Sequence, residues 1–329
     1  GASARIFCGG TAPNGRCGCY GRKGWARMDN DAKWMELARN LYKGARFGWK
    51  YRGVPVLTAQ QGNDLAAERL RSGQPFLFGR CGATEMRTVA EFLRTGGRDF
   101  SETIRREVRD LSGVFPTDDD TLRRFCELYT ACAHSADLLA LWDVGAERQV
   151  IRGCRGTQFA KLRALEPYYH PNPWSAALAG RRVLVVHPFR DTILRQYEKR
   201  EQIFPGTDIL PEFASLTVIR AVQGLGGQNT GYASWFDALD AMQRQMDEAE
   251  YDVAITGAGA YSLPLAAHAR DTGHMAVQMS GATQLLFGIK GKRWDTHPII
   301  SKLYNEAWVR PAEDEGIANK EAVEGGSYW

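Results

Sequence analysis

The spacing of apolar positions divides the chain into a helical first part and a strand-and-helix second part. From Asp29 to Tyr51, Trp34, Leu37, Ala38 and Leu41 recur at helical spacing, with Asp29 or Asn30 as the cap. The stretch "GNDLAAERLRSGQP" predicts a second helix that starts at Asn63 or Asp64. "PFLFGR" is a short apolar run between Pro75 and Gly79, and "CGATEMRTVAEFLRTG" continues it as a helix ending at Gly96 and Gly97. This is a strand, a glycine turn and a helix. From about 100 to 173 the pattern is polar and helix-rich, a helical insertion in which Asp118, Asp119 and Asp120 complement a helix dipole. The same three acids are also a candidate cation site. "EPYYHPNPWSAALAGRR" then reads as a linker or as the wall of a cleft.

From Arg181 the rhythm is regular. "RRVLVVHPF", "LTVIRAVQ", "YDVAIT" and "MAVQMS" are apolar runs of strand length, each followed by a helical pattern starting near Asp191, Ser234, Gly257 and Gly281. Alternation at this spacing predicts β-α-β units and a parallel sheet. The fold class expected is α/β, a Rossmann-like, mostly parallel sheet flanked by helices, with a helical N-terminal extension. Ligands of such sheets bind beyond the carboxyl ends of the strands, so the loops beginning at His187, Gln223, Gly257 and Ser280 are expected on one rim.

Composition narrows the function classes. The chain has 329 residues, 44% of them hydrophobic and 24% charged, which is ordinary for a globular protein. Its formal net charge of +4 is too small to suggest a nucleic-acid partner. No apolar run reaches the roughly 20 residues of a membrane span, and the N-terminus lacks the apolar core of a signal peptide. A cytoplasmic protein is expected, with peripheral attachment to the inner face of a membrane left open. The seven cysteines show no repeated CxxC spacing and read mostly as reduced thiols. Residues 1–28, a Cys/Gly-rich leader with Cys8, Cys17, Cys19 and six glycines from Gly9 to Gly24, are expected to be irregular. Three thiolates there can hold a metal with one further ligand, or two can form a disulfide. Residues 29–329 are expected to form one α/β domain.

Four motifs carry candidate chemistry. "ITGAGAYSLPLAAHA" follows a strand and opens a helix, so Gly257 and Gly259 let the backbone approach a phosphate, with Tyr261 beside them. Ser262 replaces the third glycine of a dinucleotide fingerprint, and the next strand ends "VQMSG" without the acid that binds a ribose hydroxyl, which disfavours NAD. In "SGATQLLFGIKGKRWD", Gly281 begins a turn and Lys290, Lys292, Arg293 and Trp294 form a basic, aromatic cluster suited to a diphosphate and a base or sugar. A solvated basic turn is the alternative. "FLFGRCGATEMRTV" places Arg80 and Glu85 around a glycine turn, where Glu85 can be a base, a hydroxyl acceptor, a metal ligand or a helix N-terminal charge. "VVHPFRDTILRQYEKR" offers His187, Arg190 and Asp191 at the end of a strand, the first and last as acid and base candidates.

Taken together, "FGRCGATE", "HPF" with "QYEKR", "SWFDALDAM", "GAGAYSLPLAAHA", "GATQLLFGIKGKRWD", "YNEAWVRP" and "EGGSYW" resemble the GT-D-like glycosyltransferase domains of bacterial polysaccharide biosynthesis loci, over roughly Pro75 to Trp329. The resemblance implies one Rossmann-like domain, a nucleotide-sugar donor, most readily a UDP-sugar, and a glycan, peptide or other hydroxyl acceptor. It also implies Mn²⁺ or Mg²⁺ on an Asp-x-Glu turn and association with a polysaccharide-assembly complex. The matching turn here is Ala83-Thr84-Glu85, so Glu85 carries over and the first acid does not. Lys290, Lys292 and Arg293 would then take the cation's place against the leaving diphosphate. Two other classes fit the same turns: a different nucleotide enzyme, such as a sugar-nucleotide oxidoreductase or a methyltransferase, and a non-catalytic glycan or peptide recognition module.

Overall fold

The computed structural model describes residues 41–317 and 325–329. The leader with Cys8, Cys17 and Cys19, and the first part of the helix expected from Asp29, lie outside the described residues. The chain divides into two units, Gly1–Arg52 and Gly53–Trp329. In the first, residues 41–50 are helical.

The second unit is built on eight strands: β1 Val56–Leu57, β2 Phe76–Arg80, β3 Leu138–Leu141, β4 Gln158–Lys161, β5 Arg182–His187, β6 Ser215–Arg220, β7 Val253–Thr256 and β8 Met275–Gln278. They form one sheet in the order β1-β4-β3-β2-β8-β7-β5-β6, with every pairing parallel. The Rossmann-like class expected from the alternating pattern is what forms. β3, β7 and β8 are buried along their whole length, which is why they read as continuous apolar runs. Side chains alternate between two cores: Leu77, Leu139, Leu184, Val186, Ala254 and Ala276 pack on one face, and Phe76, Phe78, Leu138, Val183, Val185, Ile255 and Val277 on the other.

The second unit has seven described helices of eight residues or more: α1 Ala59–Ser72, α2 Ala83–Thr95, α3 Glu102–Ser112, α4 Asp119–Ser135, α5 Arg190–Tyr197, α6 Trp235–Asp247 and α7 Ser262–Asp271. α2, α3, α4, α6 and α7 cover the first face; α1, α5 and the short helix Thr283–Leu286 contribute to the second. The second unit thus forms three layers.

Two local expectations need correction. α1 starts at Ala59, because Thr58 and Gln61 form a reciprocal capping box four residues before the expected start. Asn63, proposed as the cap, is fully buried within the helix, donating to Asn172 O at 2.8 Å and accepting from Trp174 N at 2.8 Å. The segment 100–173 also contributes β3 and β4, so it supplies an arm of the sheet as well as helices. "LLAL" is only four residues long, and short apolar runs look alike in a buried strand and a buried helix. The acidic triplet does cap a helix: Asp118 accepts from Thr121 N at 3.0 Å, and these bonds hold its carboxyl below the usual range.

Topology places the functional rim. From β2 the chain moves outward through β3 and β4, while β8 returns to pair with β2 from the other side. α2, which follows β2, packs on the first face, and Thr283–Leu286, which follows β8, packs on the second. Adjacent strands whose connections leave to opposite faces open a crevice at their carboxyl ends.

Candidate functional site

One cleft occupies that crevice. It is lined by the loops after β2 (Arg80, Gly82 to Glu85), β3 (Trp142), β5 (His187 to Phe189), β6 (Gln223, Leu225), β7 (Gly257, Gly259) and β8 (Ser280, Gly281, Gln284). Leu111, Tyr129, Arg293, Tyr328 and Trp329 complete the wall. Its cavity volume of about 160 Å³ is roughly ten times what a single water needs, so it has room for an organic ligand. The four loops expected on one rim all reach it.

The acidic side is built around the start of α2. Gly82 is its N-cap, in extended conformation and with no side chain to offer, and Glu85 in the first turn folds back over it. A β-carbon at Gly82 would lie 1.8 Å from Glu85 Oε2, so only glycine leaves the carboxylate this position. Ser112 Oγ, at the end of α3, donates to Glu85 Oε1 at 2.8 Å, a buried bond. Tyr129 Oη, on α4, accepts from Gly82 N at 2.9 Å. Burial, with Glu85 nearby, raises the Tyr129 phenol well above its ordinary value, so it keeps its proton and remains a donor. Burial likewise pushes the neighbouring Cys81 thiol well up, with Glu147 adding to the effect, which leaves it a poor nucleophile.

Arg80 stands beside this carboxylate in the chain, its backbone N–H donating to Gln278 Oε1 at 2.6 Å and its guanidinium 4.7 Å from the Trp142 ring. Gln278 also donates to Ser280 Oγ. Ser280 has φ of 51°, a left-handed conformation uncommon outside glycine, held at the cleft by that bond. Glu166, from the proline and aromatic stretch, lies near Arg80, and burial lifts its carboxyl to about 7 against the lowering effect of Arg80 and Arg163.

The opposite side is made by donors. His187 is buried, its Nδ1 accepts from Phe189 N at 3.0 Å, and burial pushes its pKa down to about 3. The imidazole is therefore neutral, its lone pair is engaged by the backbone, and the proton sits on Nε2. That arrangement suits a hydrogen-bond donor; a general base needs the free lone pair that His187 lacks. Gly257 packs against it, since a β-carbon there would lie 2.6 Å from His187 Cδ2 and 2.5 Å from Thr283 Oγ1. Gly259 has φ of 58° and no atom within contact of a would-be β-carbon, so it opens the turn toward the cleft.

The basic cluster has mainly a structural role. Lys290 N donates to Val309 O at 2.7 Å, and its ammonium lies 5.3 Å from the Tyr304 ring. Lys292 N donates to Trp329 O at 3.2 Å and its Nζ to Gly325 O at 3.1 Å. Arg293 N donates to Ser327 O at 3.1 Å, and Gln284 Nε2 to Tyr328 O at 3.1 Å. These bonds strap Gly325–Trp329 across the turn and set Tyr328 and Trp329 into the cleft wall.

Of the twelve residues singled out in the sequence, Arg80, Glu85, His187, Gly257, Gly259, Gly281 and Arg293 line the cleft. Lys290, Lys292 and Trp294 do not line it: Lys292 and Trp294 pack with the strap, and Lys290 lies over Tyr304. Tyr261 is buried in the core, stacked on Trp235 at 4.7 Å. Asp191 lies in the first turn of α5, where its backbone N–H donates to the buried Glu315 at 2.6 Å, and it does not line the cleft. Sequence reasoning named Gln223 only as the start of a rim loop and gave no role to Ser112, Tyr129, Trp142, Gln278, Gln284, Tyr328 or Trp329, although Gln284 stands within "GATQLLFGIKGKRWD" and Tyr328 and Trp329 within "EGGSYW".

Among the described residues, no group of three His, Cys, Asp or Glu is arranged to hold a metal ion, and no helix is long and apolar enough to cross a membrane. Around Glu85 the oxygen donors are one carboxylate, the Ser112 hydroxyl and the Tyr129 phenol, with Ala83 where a second acid would stand. A divalent ion there would draw most of its ligands from a bound phosphate and water. Compared with protein-family models, curated proteins and solved structures, the chain matches none, so what identifies it is its architecture: a Rossmann-like α/β protein with a mixed-charge cleft at the carboxyl ends of its strands.

Proposed function

We propose that this protein is a glycosyltransferase of the GT-D-like kind, moving a sugar from a nucleotide diphosphate, most suitably a UDP-sugar, to a hydroxyl of a glycan or peptide acceptor. The observation that carries the reading is the division of the cleft: a buried carboxylate, Glu85, on one side, and the Gly257–Gly259 turn with the His187 donor and the Arg293 cation on the other. Sugar transfer from a diphosphate needs both. An acceptor oxygen attacks the anomeric carbon as the bond from that carbon to the diphosphate oxygen breaks. The acceptor proton passes to Glu85, and the diphosphate departs with the negative charge.

On this reading the open turn at Gly259 admits the diphosphate, and His187 Nε2–H and Arg293 offset the charge that develops on it. Glu85 is held by Ser112 rather than by a second acid, and it acts as base or as acceptor of a hydroxyl hydrogen bond. Arg80, stacked on Trp142, reaches the cleft between the two sides.

The test combines binding and turnover on the full chain. UDP at about 100 times its dissociation constant should stabilise the protein by about 2.7 kcal/mol, read as a higher melting temperature. A UDP-sugar incubated with an acceptor should release UDP, and Glu85→Gln should abolish release while leaving UDP binding intact. Silence toward every nucleoside diphosphate, with no sugar released, would leave a recognition module as the better description.

A further inference from the structure

Two buried polar atoms in the cleft wall lack partners, and they belong to neighbouring residues. Trp329 Nε1 is a donor with nothing to donate to, and Gln223 Oε1 an acceptor with nothing to accept. Buried polar groups are rarely left so, and each such case calls for an explanation. Both side chains rest on the same peptide. Gln223 Nε2 donates to Glu315 O at 3.3 Å, and a β-carbon at Gly316 would lie 3.7 Å from Trp329 Nε1.

The bond to Glu315 also determines which way the Gln223 amide faces. A carbonyl only accepts, so the amide nitrogen must point at it and the amide oxygen must point away. Flipping the amide would set two oxygens against each other. The amide oxygen is therefore fixed as the acceptor of the pair and the indole N–H is its donor, both covered beneath the cleft surface. Trp329 is placed there by the strap, through its own carbonyl on Lys292 N, and its ring lies edge-on to Phe189 with centroids 6.2 Å apart. Its indole N–H has no bond to break if the ring turns toward a ligand.

We propose that Trp329 and Gln223 form a nucleobase subsite that reads an edge bearing a hydrogen-bond acceptor beside a donor, and so sets the base specificity of the cleft. The inference rests on the reading of the cleft as a nucleotide-sugar site. Uracil presents such an edge through O4 and N3–H, and cytosine presents the reverse order through N3 and its amino group. With the diphosphate anchored at the Gly257–Gly259 turn, a base enters in one orientation. One order then satisfies both side chains, and the other brings donor to donor and acceptor to acceptor.

The experiment is the dissociation constant of UDP and of CDP, measured by calorimetry for the full chain and for Trp329→Phe and Gln223→Met, with melting temperatures to confirm that each variant is folded. One of the two nucleotides should bind at least tenfold more tightly than the other, and either variant should narrow that ratio to below threefold while still binding both. Tighter binding of UDP makes the edge uracil's, and tighter binding of CDP makes it cytosine's. Equal binding of both nucleotides to the unaltered chain would overturn the subsite and leave the glycosyltransferase reading standing. So would a ratio that survives in both folded variants. Failure of both nucleotides to bind would overturn the subsite; binding of a purine nucleoside diphosphate in their place would leave the nucleotide reading standing, and silence toward every nucleoside diphosphate would remove both.

Discussion

The carboxylate of Glu85 lies over the α-carbon of Gly82, in space that any other residue's β-carbon would fill at 1.8 Å from Oε2. Gly82 has φ of −78°, so alanine fits its backbone without strain. The clash is with the far end of a side chain, which can swing away. Gly82→Ala should therefore change the melting temperature little and yet displace the acid. Transfer activity should fall as far as in Glu85→Gln, and a variant with full activity would show that the position of Glu85 does not matter.

Gly257 and Gly259 sit two residues apart and should respond differently to alanine. At Gly257 the new β-carbon would meet buried Thr283 and His187, which can give way only by disturbing their own packing, and overpacking of this kind costs about 1–3 kcal/mol. At Gly259 the space is open, and the cost is the left-handed backbone alone, about 1–2 kcal/mol. Chemical denaturation measures both. Gly257→Ala should also shift the His187 ring, detected as a changed imidazole resonance.

His187 makes stability depend on pH in a defined window. Its folded pKa of about 3 lies below the unfolded value near 6.5, so between them the unfolded chain binds a proton that the folded chain does not. Its contribution is present in full above about pH 6.5 and is lost as pH falls toward 3, with a slope of up to about 1.4 kcal/mol per pH unit. Denaturation curves from pH 7.5 to 4.5 should be flatter for His187→Gln. A slope unchanged by that substitution would place the acid sensitivity elsewhere.

Gln284 holds the strap together. Its buried amide nitrogen faces the carbonyls of Ile289, Lys290 and Tyr328 at 3.1–3.3 Å. Gln284→Leu leaves these acceptors without their donor, at about 1–3 kcal/mol for each that stays buried. The variant should loosen Gly325–Trp329 from the turn, lower the melting temperature and red-shift the tryptophan emission.

The basic cluster should separate by residue. Arg293→Gln should weaken nucleoside diphosphate binding, because Arg293 lines the cleft. Lys290→Gln should leave it near the unaltered value, because Lys290 faces Tyr304. Equal losses from both would mean that the cluster acts as a diffuse positive field.

The alternating apolar runs determined the parallel sheet, because a strand buried on both faces is written mainly in apolar residues. They also determined the rim, since in a parallel sheet every loop that follows a strand emerges at the same edge. Arg80, Glu85, His187, Gly257 and Gly281 were legible for that reason, each standing within a few residues of a strand's carboxyl end. "LLAL" was not, because it runs on from the amphipathic helical pattern "TLRRFCELYTACAHSAD" without a glycine or proline boundary, and periodicity alone does not separate a short buried strand from a buried helix there. What only the tertiary structure decided was which groups from distant parts of the chain close on those loops. Ser112 and Tyr129 come to Glu85 from helices 27 and 44 residues further along the chain. The strap brings Trp329 to the peptide that already holds Gln223, more than a hundred residues earlier. Local sequence carries the preference of a segment for helix, strand or turn, whereas the pairing of a lone donor with a lone acceptor depends on how the layers pack, and no spacing along the chain records that.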